Sequence, residues 1–344
     1  MTLSSTREAR IMLETAEQWH QQGQKVALLT LVGVKGSAYR RPGAKMVMAL
    51  NGRMHGALSG GCLEGDLFIY AEQAMNTGVP TVRDYDLAED EMWSLGIGCK
   101  GHVEIWVEPV DFTESFWQEL LEKVRREEAF SWGGQLPQGQ RYFATNAGEW
   151  RTRGHGGMPP FTPLEAEALA SAGVKDGYWW DVMRPPQRLI VAGAGHDARP
   201  VASLARQAGF DVVVLDARDH VNNEEQFPGV RHLVRDASEV DPEELSKSFW
   251  VIMNHHQRRD EEAMMVAAHS APRFIGMLGP LSRTRDMIAK TGVAVSQLPL
   301  YSPVGLDIGA ENPDEIAISI VSQLMAARNE SLGGPLDGKE RIHR

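Results

Sequence analysis

The chain has 344 residues, enough for two domains with cores of their own at about 150 residues each. Hydrophobic residues make up 42% and charged residues 24%, which excludes a disordered or fibrous protein. Thirty-five Lys and Arg against 46 Asp and Glu leave a net charge of −11, which argues against nucleic-acid or anionic-membrane binding but allows a local pocket for a small anion.

The N-terminal stretch MTLSSTREARIMLETAEQW carries Arg7, Glu8, Arg10 and Glu14 and lacks the apolar block of a signal peptide. No later stretch approaches the ~20 apolar residues of a membrane span. With only Cys62 and Cys99, a disulfide-stapled scaffold is excluded and the expected compartment is the reducing cytoplasm. Residues 4–22 place Ile11, Leu13, Ala16 and Trp19 at helical spacing, with Gly23 as C-cap. Residues 25–34 (KVALLTLVGV) read as a central strand, and AKMVMAL and RMHGALS as a hairpin closed by a type I′ turn at Asn51-Gly52. The run LEGDLFIYAEQAMNTG is a helix ending at Gly78, and VPTVRDYDL and HVEIWVEPV are two further strands.

Residues 113–187 form a middle region read as an appendage to the first domain. It holds a helix (FTESFWQELLEKVRREE), a hairpin (RYFATNAGEWRTR), a second helix (PLEAEALASAG) and a strand (YWWDVMRPP) ending at Pro185-Pro186. From Arg188 onward strands and helices alternate: RLIVAGAG, DARPVASLARQAG, DVVVLDAR, GVRHLVRD, DPEELSK, SFWVIM, RRDEEAMMVAAHS, RFIGML, LSRTRDMIAKTG and a closing helix over 313–328. Apolar strands alternating with amphipathic helices predict a doubly wound parallel sheet. The expected organisation is an α/β protein with an N-terminal α/β domain (1–112), the middle region (113–187), a Rossmann-like domain (188–330) and a flexible tail (331–344).

Gly193-Ala-Gly195-His196-Asp-Ala198 follows a strand and opens a helix, so its glycines let backbone amides approach a phosphate at a helix N-terminus. Asp216 ends the next strand, placed to accept from a ribose hydroxyl, while Arg218 could meet a phosphate instead. An empty tight turn is the competing reading. In Ser59-Gly60-Gly61-Cys62-Leu63-Glu64, two glycines expose amides and Cys62 stands at a helix start, where the dipole favours thiolate. Such a thiolate can ligate a soft metal or carry a persulfide, although a buried Cys also serves as an inert small hydrophobe. Cys99 lies in a second glycine-flanked loop beside Lys100, and a zinc site from this pair alone is not expected. Arg40 and Arg41 in a third glycine-bounded loop suit a phosphate or carboxylate, or simply a solvated turn. One of His255 and His256 can line the cleft at the carboxyl end of the sheet, while Arg258, Arg259 and Asp260 read as a solvated helix start. Asn312, Pro313 and Glu315 form a helix-start signature.

Taken in order, GSAYRRPG, SGGCLEGD, GIGCKG with HVEIWVEP, GAGHDA with VVVLDAR, and SPVGLDIGAENPDEIAISI resemble the XdhC/CoxI family of xanthine dehydrogenase accessory proteins. The resemblance implies a chaperone that binds the molybdopterin-type molybdenum cofactor, supports its sulfuration by a cysteine desulfurase, and inserts it into an apo-enzyme of the molybdenum hydroxylase class. Carried over by position, it implicates Cys62 as contact to molybdenum or its sulfur source, and Cys99. Gly60, Gly61, Arg40, Arg41, Gly193, Gly195, His196, Asp216, Arg218 and His255 are then the cofactor-binding set, with Arg199 a further cation. The sequence departs from the family at Cys99-Lys100-Gly101, where Cys-Gly-Gly is usual, and at Asn254-His255-His256, where His-x-His is usual. A dinucleotide form of the cofactor, NAD(P) in an oxidoreductase, and a catalytically silent docking adaptor stay open, as does a homodimer.

Overall fold

The computed structural model describes residues 6–36, 38–87, 101–137, 139–145, 148–154 and 172–338. The chain divides between Pro185 and Pro186 into two compact units. Among the described residues no helix is long and apolar enough to cross a membrane.

In the first unit, helix α1 (Thr6–Gln21) buries Ala9, Leu13 and Ala16 on one side. Gly23 ends it as expected, at φ 79, with Gln24 N–H returning to the Trp19 carbonyl. An antiparallel sheet is built from β1 (Val26–Gly36), β2 (Lys45–Ala49), β3 (Met54–Gly56), β4 (Thr81–Asp86) and β5 (Gly101–Val110), in the order β3-β2-β1-β5-β4. Successive side chains of a strand point to opposite faces, and here both faces are covered, which explains the apolar runs of β1 and β2, interrupted at buried positions by Thr30 and Lys45. Ala27, Leu29, Met46, Ile105 and Val107 meet helix α2 (Glu64–Thr77) through Leu67, Ala71 and Ala74. Val26, Leu28, Val47 and Val110 meet α1 and helix α3 (Ser115–Arg125). The β2–β3 hairpin forms, but its turn is not type I′: only Gly52 has positive φ (85), and Gly52 N–H bonds the Ala49 carbonyl while Ala49 N–H bonds Arg53. That is a type I turn followed by a left-handed glycine, the three-residue alternative.

The middle region builds a second antiparallel sheet, β6 (Phe130–Gln135), β7 (Arg141–Thr145), β8 (Trp150–Arg153), β9 (Ala172–Lys175) and β10 (Tyr178–Met183), ordered β8-β7-β6-β10-β9. Phe130, Trp132, Phe143 and Met183 join the core that α1 and α3 share. Strands β6 and β9 were not expected. Glycines in β6 suppress its strand signal, yet a Cβ at Gly133 would fall 2.1 Å from the Trp179 carbonyl oxygen. Ala172 and Gly173, placed at the end of an expected helix, lie in β9 instead, and the rest of that helix falls outside the described residues. Two buried ion pairs tie the two sheets together: Lys45 with Asp181, at most 1% exposed, and Arg141 with Glu108 at 2.8 Å.

The second unit is a six-stranded parallel sheet. Its strands are β11 (Arg188–Ala192), β12 (Asp211–Leu215), β13 (Arg231–Leu233), β14 (Phe249–Ile252), β15 (Phe274–Met277) and β16 (Leu300–Tyr301). The order β13-β12-β11-β14-β15-β16, every neighbour parallel, is the doubly wound dinucleotide-binding order. Helices α4 (Ala198–Gln207) and α7 (Pro313–Arg328) cover one face, and α5 (Gln257–His269) and α6 (Leu281–Thr291) the other. The Asn312–Glu315 capping box starts α7, and Ile320 and Leu324 are fully buried on its inner side. The segment expected as helix DPEELSK is one 3₁₀ turn, Pro242–Leu245, and β16, only two residues long, gave no sequence signal.

Candidate functional site

Strands β11 and β14 are neighbours from which the chain winds in opposite directions, so the loops following them frame the switch point where open α/β sheets take ligands. The turn after β11 depends on Gly193. Its φ is 114, and a Cβ there would lie 2.7 Å from both Asn254 Cα and the Met253 carbonyl oxygen, so the two loops meet backbone to backbone. Beyond it, among the described residues, the N–H groups of Gly195, His196 and Asp197 meet no acceptor. They lie at the N-terminus of α4, whose dipole favours an anion. Arg199, in the first turn of α4, makes no ion pair among the described residues, and its Nε is buried without a partner. His196 stands exposed.

Asp216 and Arg218, singled out as ribose acceptor and phosphate donor, are paired with each other. Arg218 donates through Nε (2.9 Å) and Nη2 (2.6 Å), and the backbone N–H groups of Ala194 (2.9 Å) and Arg218 (3.0 Å) add two more bonds to the Asp216 carboxylate. Arg259, expected in a solvated helix start, instead lies 3.8 Å from the same carboxylate. Burial pushes that carboxyl up, but the Arg218 guanidinium and the two amides outweigh it and hold it at about 2. Both oxygens are therefore engaged at the place where a ribose would bind.

Across the switch point, His255 Nε2 lies 2.6 Å from Asp197 Oδ2, with His255 held in left-handed backbone at φ 55. Sequence reasoning passed over Asp197 because only the loop after β14 gives it a partner. His256 is exposed at the start of α5. Asp260 corrects the expectation of a solvated helix start: it is 1% exposed and accepts from Asn254 N–H (3.0 Å), Asn254 Nδ2 (3.1 Å) and Arg283. It thereby fixes the loop that presents His255.

In the first unit the loop before α2 is organised by Ser59. Its Oγ accepts from the N–H groups of Gly61, Cys62 and Leu63, each at 3.2 Å, and donates to Glu64 Oε2. Glu64 also accepts from Ser59 N–H and Leu63 N–H. Burial raises the Glu64 carboxyl, and these bonds more than reverse it, leaving a net lowering. The amide of Gly61, one of the two glycines expected to expose theirs, is thus taken up inside the loop together with that of Cys62. Cys62 is a free thiol, half-buried against the α2 side of the sheet. Gly60, Gly61 and Gly65 have no atom within 4 Å of where a Cβ would stand. Gly61 requires its glycine for a φ of 104, whereas at Gly60 and Gly65 neither positive φ nor crowding inside the protein demands one. Arg40 pairs with Glu8 at 2.6 Å and also donates to the Ala57 carbonyl, and Arg41 is half-buried beside it. Cys99 lies outside the described residues.

The chain is similar to known proteins. Residues 189–324 match the XdhC Rossmann domain and residues 19–86 match the XdhC and CoxI family. A probable xanthine dehydrogenase subunit of Bacillus subtilis (strain 168) is 30% identical over 322 residues, 89% of this chain and 94% of that protein. The chain belongs to the XdhC and CoxI family. The molybdenum cofactor insertion chaperone PaoD of Escherichia coli (strain K12) is 23% identical over 335 residues, covering 94% of this chain and 90% of PaoD. A crystal structure described as a xanthine dehydrogenase from Bacillus halodurans superposes with a TM-score of 0.78 at 30% identity, over 94% of this chain and 98% of that one. The 19–86 match contains the Cys62 loop, and the 189–324 match contains the β11 turn.

Proposed function

We propose that this XdhC-family protein is a molybdenum cofactor insertion chaperone: it binds a phosphate-bearing molybdopterin as cargo and passes it to an apo-molybdoenzyme. The observation that carries this reading is the half-buried thiol of Cys62 beside Gly60, Gly61 and Gly65, bare backbone open to a flat ligand. Thiolate is a soft donor suited to molybdenum or to a transferable sulfur. A phosphate fits the β11 turn on this structure's own terms, since three amides and an Arg199 that meet no partner among the described residues, at a helix N-terminus, are the donors it needs. In this reading the second unit offers phosphate donors through the backbone of Gly195, His196 and Asp197. The first unit, taken by itself, offers the Cys62 thiol to molybdenum or to sulfur supplied by a cysteine desulfurase. The bound cargo supplies the redox-active metal of the recipient enzyme, while the chaperone's residues bind and orient it.

A nicotinamide-dependent oxidoreductase draws less support, because the carboxylate such a reading assigns to ribose, Asp216, is filled by Arg218 and Ala194. The test is anaerobic purification after coexpression with the cofactor pathway, followed by pterin and molybdenum analysis and transfer to apo-enzyme. Near-stoichiometric cofactor on the wild type, with marked loss of transfer in Cys62→Ala and of binding in Arg199→Gln, is expected. Unchanged binding and transfer in Cys62→Ala would remove Cys62 from the reading.

A further inference from the structure

On the face of the first sheet away from α2, where β4 and β5 run side by side, Asp84, His102 and Glu104 each offer a ligand atom, all within 4.8 Å of one another. Asp84 stands directly opposite Glu104 across the strand pair, and His102 precedes Glu104 by two residues on the same face. Two carboxylates facing each other across a ladder repel, and among the described residues no arginine or lysine pairs with either. Arg83 points to the other face, over the Tyr70 ring at 3.8 Å, and Lys35, opposite His102 on β1, makes no ion pair among the described residues. Among the described residues the compensation is His102, with Nε2 2.5 Å from Asp84 Oδ1.

A second feature makes room for the Glu104 carboxylate. The β1–β5 register shifts at Leu31/Gly33, and a Cβ on Gly33 would lie 2.6 Å from Glu104 Oε2. A bulge re-aims a side chain, and here glycine in the bulge lets the Glu104 carboxylate settle over bare backbone toward its two neighbours. Around a tetrahedral ion with bonds of about 2.0–2.1 Å, ligand atoms sit about 3.3 Å apart. The ligand atoms, all within 4.8 Å of one another, would approach that spacing by opening the His102–Asp84 contact and drawing Glu104 in.

We propose that Asp84, His102 and Glu104 bind one first-row divalent transition-metal ion, with at least one coordination position open to water or an exogenous group. One imidazole and two carboxylates are the donors of Zn²⁺ and Mn²⁺ sites, and three protein ligands are characteristic of open rather than closed zinc centres. This ion is separate from the molybdenum of the cargo, and the site does not depend on that reading.

The experiment uses the full chain in a Cys62→Ser/Cys99→Ser background, stripped with chelator and titrated with ZnCl₂ by calorimetry and with CoCl₂ by absorption. One equivalent bound, with cobalt d–d bands of low-symmetry N/O coordination, is expected. His102→Ala, Glu104→Gln and the more conservative Asp84→Asn each weaken binding about 10- to 100-fold or more, as loss of ligand support does elsewhere. Circular dichroism establishes that each variant is folded, and the exposed Asp84 position leaves one variant whose folding is secure. Binding absent in the parent, or retained within twofold in Asp84→Asn and in the His102→Ala/Glu104→Gln double variant, would overturn the proposal.

Discussion

Arg218→Ala tests the electrostatics of the switch point directly. In the wild type the Asp216 side chain is fully buried, and its carboxyl is held at about 2 against an ordinary 3.8. A difference of nearly two pK units corresponds to about 2.5 kcal/mol of preference for the charged form. Arg218 is 38% exposed, so solvent screening trims its share and a loss of about 1.5–2.5 kcal/mol is expected. In the variant the two amides and Arg259, 3.8 Å away, remain, but burial now weighs more and the carboxyl moves up toward its ordinary value. For a unit of this size, about 2–4 °C per kcal/mol places the melting shift of the second unit at about 3–10 °C at neutral pH. The sign is fixed by linkage: a depressed carboxyl stabilises above its unfolded pKa and loses that contribution as pH falls through its folded one. The gap between wild type and variant is therefore full at pH 7, narrows below about pH 4 and closes near pH 2. Differential scanning calorimetry across that range, with a carboxyl ¹³C titration of Asp216, reads both quantities. An Asp216 midpoint still near 2 in Arg218→Ala, with an unchanged melt, would show that the backbone donors and Arg259 set the site without Arg218.

Gly193→Ala forces a Cβ into the Met253–Asn254 backbone at positive φ, and strain with overpacking is expected to destabilise the second unit by about 2–5 kcal/mol, read by urea unfolding. In the first unit, Asp181→Asn leaves the Lys45 ammonium buried without its counter-charge and should cost about 3–5 kcal/mol. Lys45→Met/Asp181→Asn should recover most of that loss, because it removes both charges while the introduced amide oxygen still accepts from Trp132 Nε1; a double variant no better than the single would refute it. Ser59→Ala strips one acceptor from three amides and frees Glu64, so faster hydrogen exchange at Gly61–Leu63 and a loss of about 1–2 kcal/mol are expected.

The second unit was legible in the sequence because each of its signals is local. Strand runs alternate with amphipathic helices, a glycine turn marks the first crossover, and the capping residues at 312–315 announce the last helix. What escaped depended on partners far along the chain. Gly133 looks like a loop residue until Trp179 and Tyr142 occupy the space its Cβ would need. Asp260, inside the charged run RRDEE, looks solvated until Arg283 and Asn254 close around it. Arg40 looks available to an anion until Glu8 takes it. The Cys62 loop was recognisable by composition, but its internal wiring was not, since Ser59 and Glu64 satisfy the amides that the glycines alone would leave open. The type I′ expectation at Asn51-Gly52 failed because that dipeptide also suits a type I turn with a trailing left-handed glycine, and the β2–β3 register selects the latter.

The outermost strands of the sheets have a consequence for life at high protein concentration. In the parallel sheet the borders are three and two residues long, and in the first antiparallel sheet β3 offers only three, while β1 and β5 in its interior run to 11 and 10. A foreign strand docking on any of these borders would gain few rungs of hydrogen bonding before running out of template. The apolar run of β1, a stretch of high β-propensity and low charge, is walled in by neighbours on both sides, which guards a protein carrying so much continuous apolar strand against fibre growth.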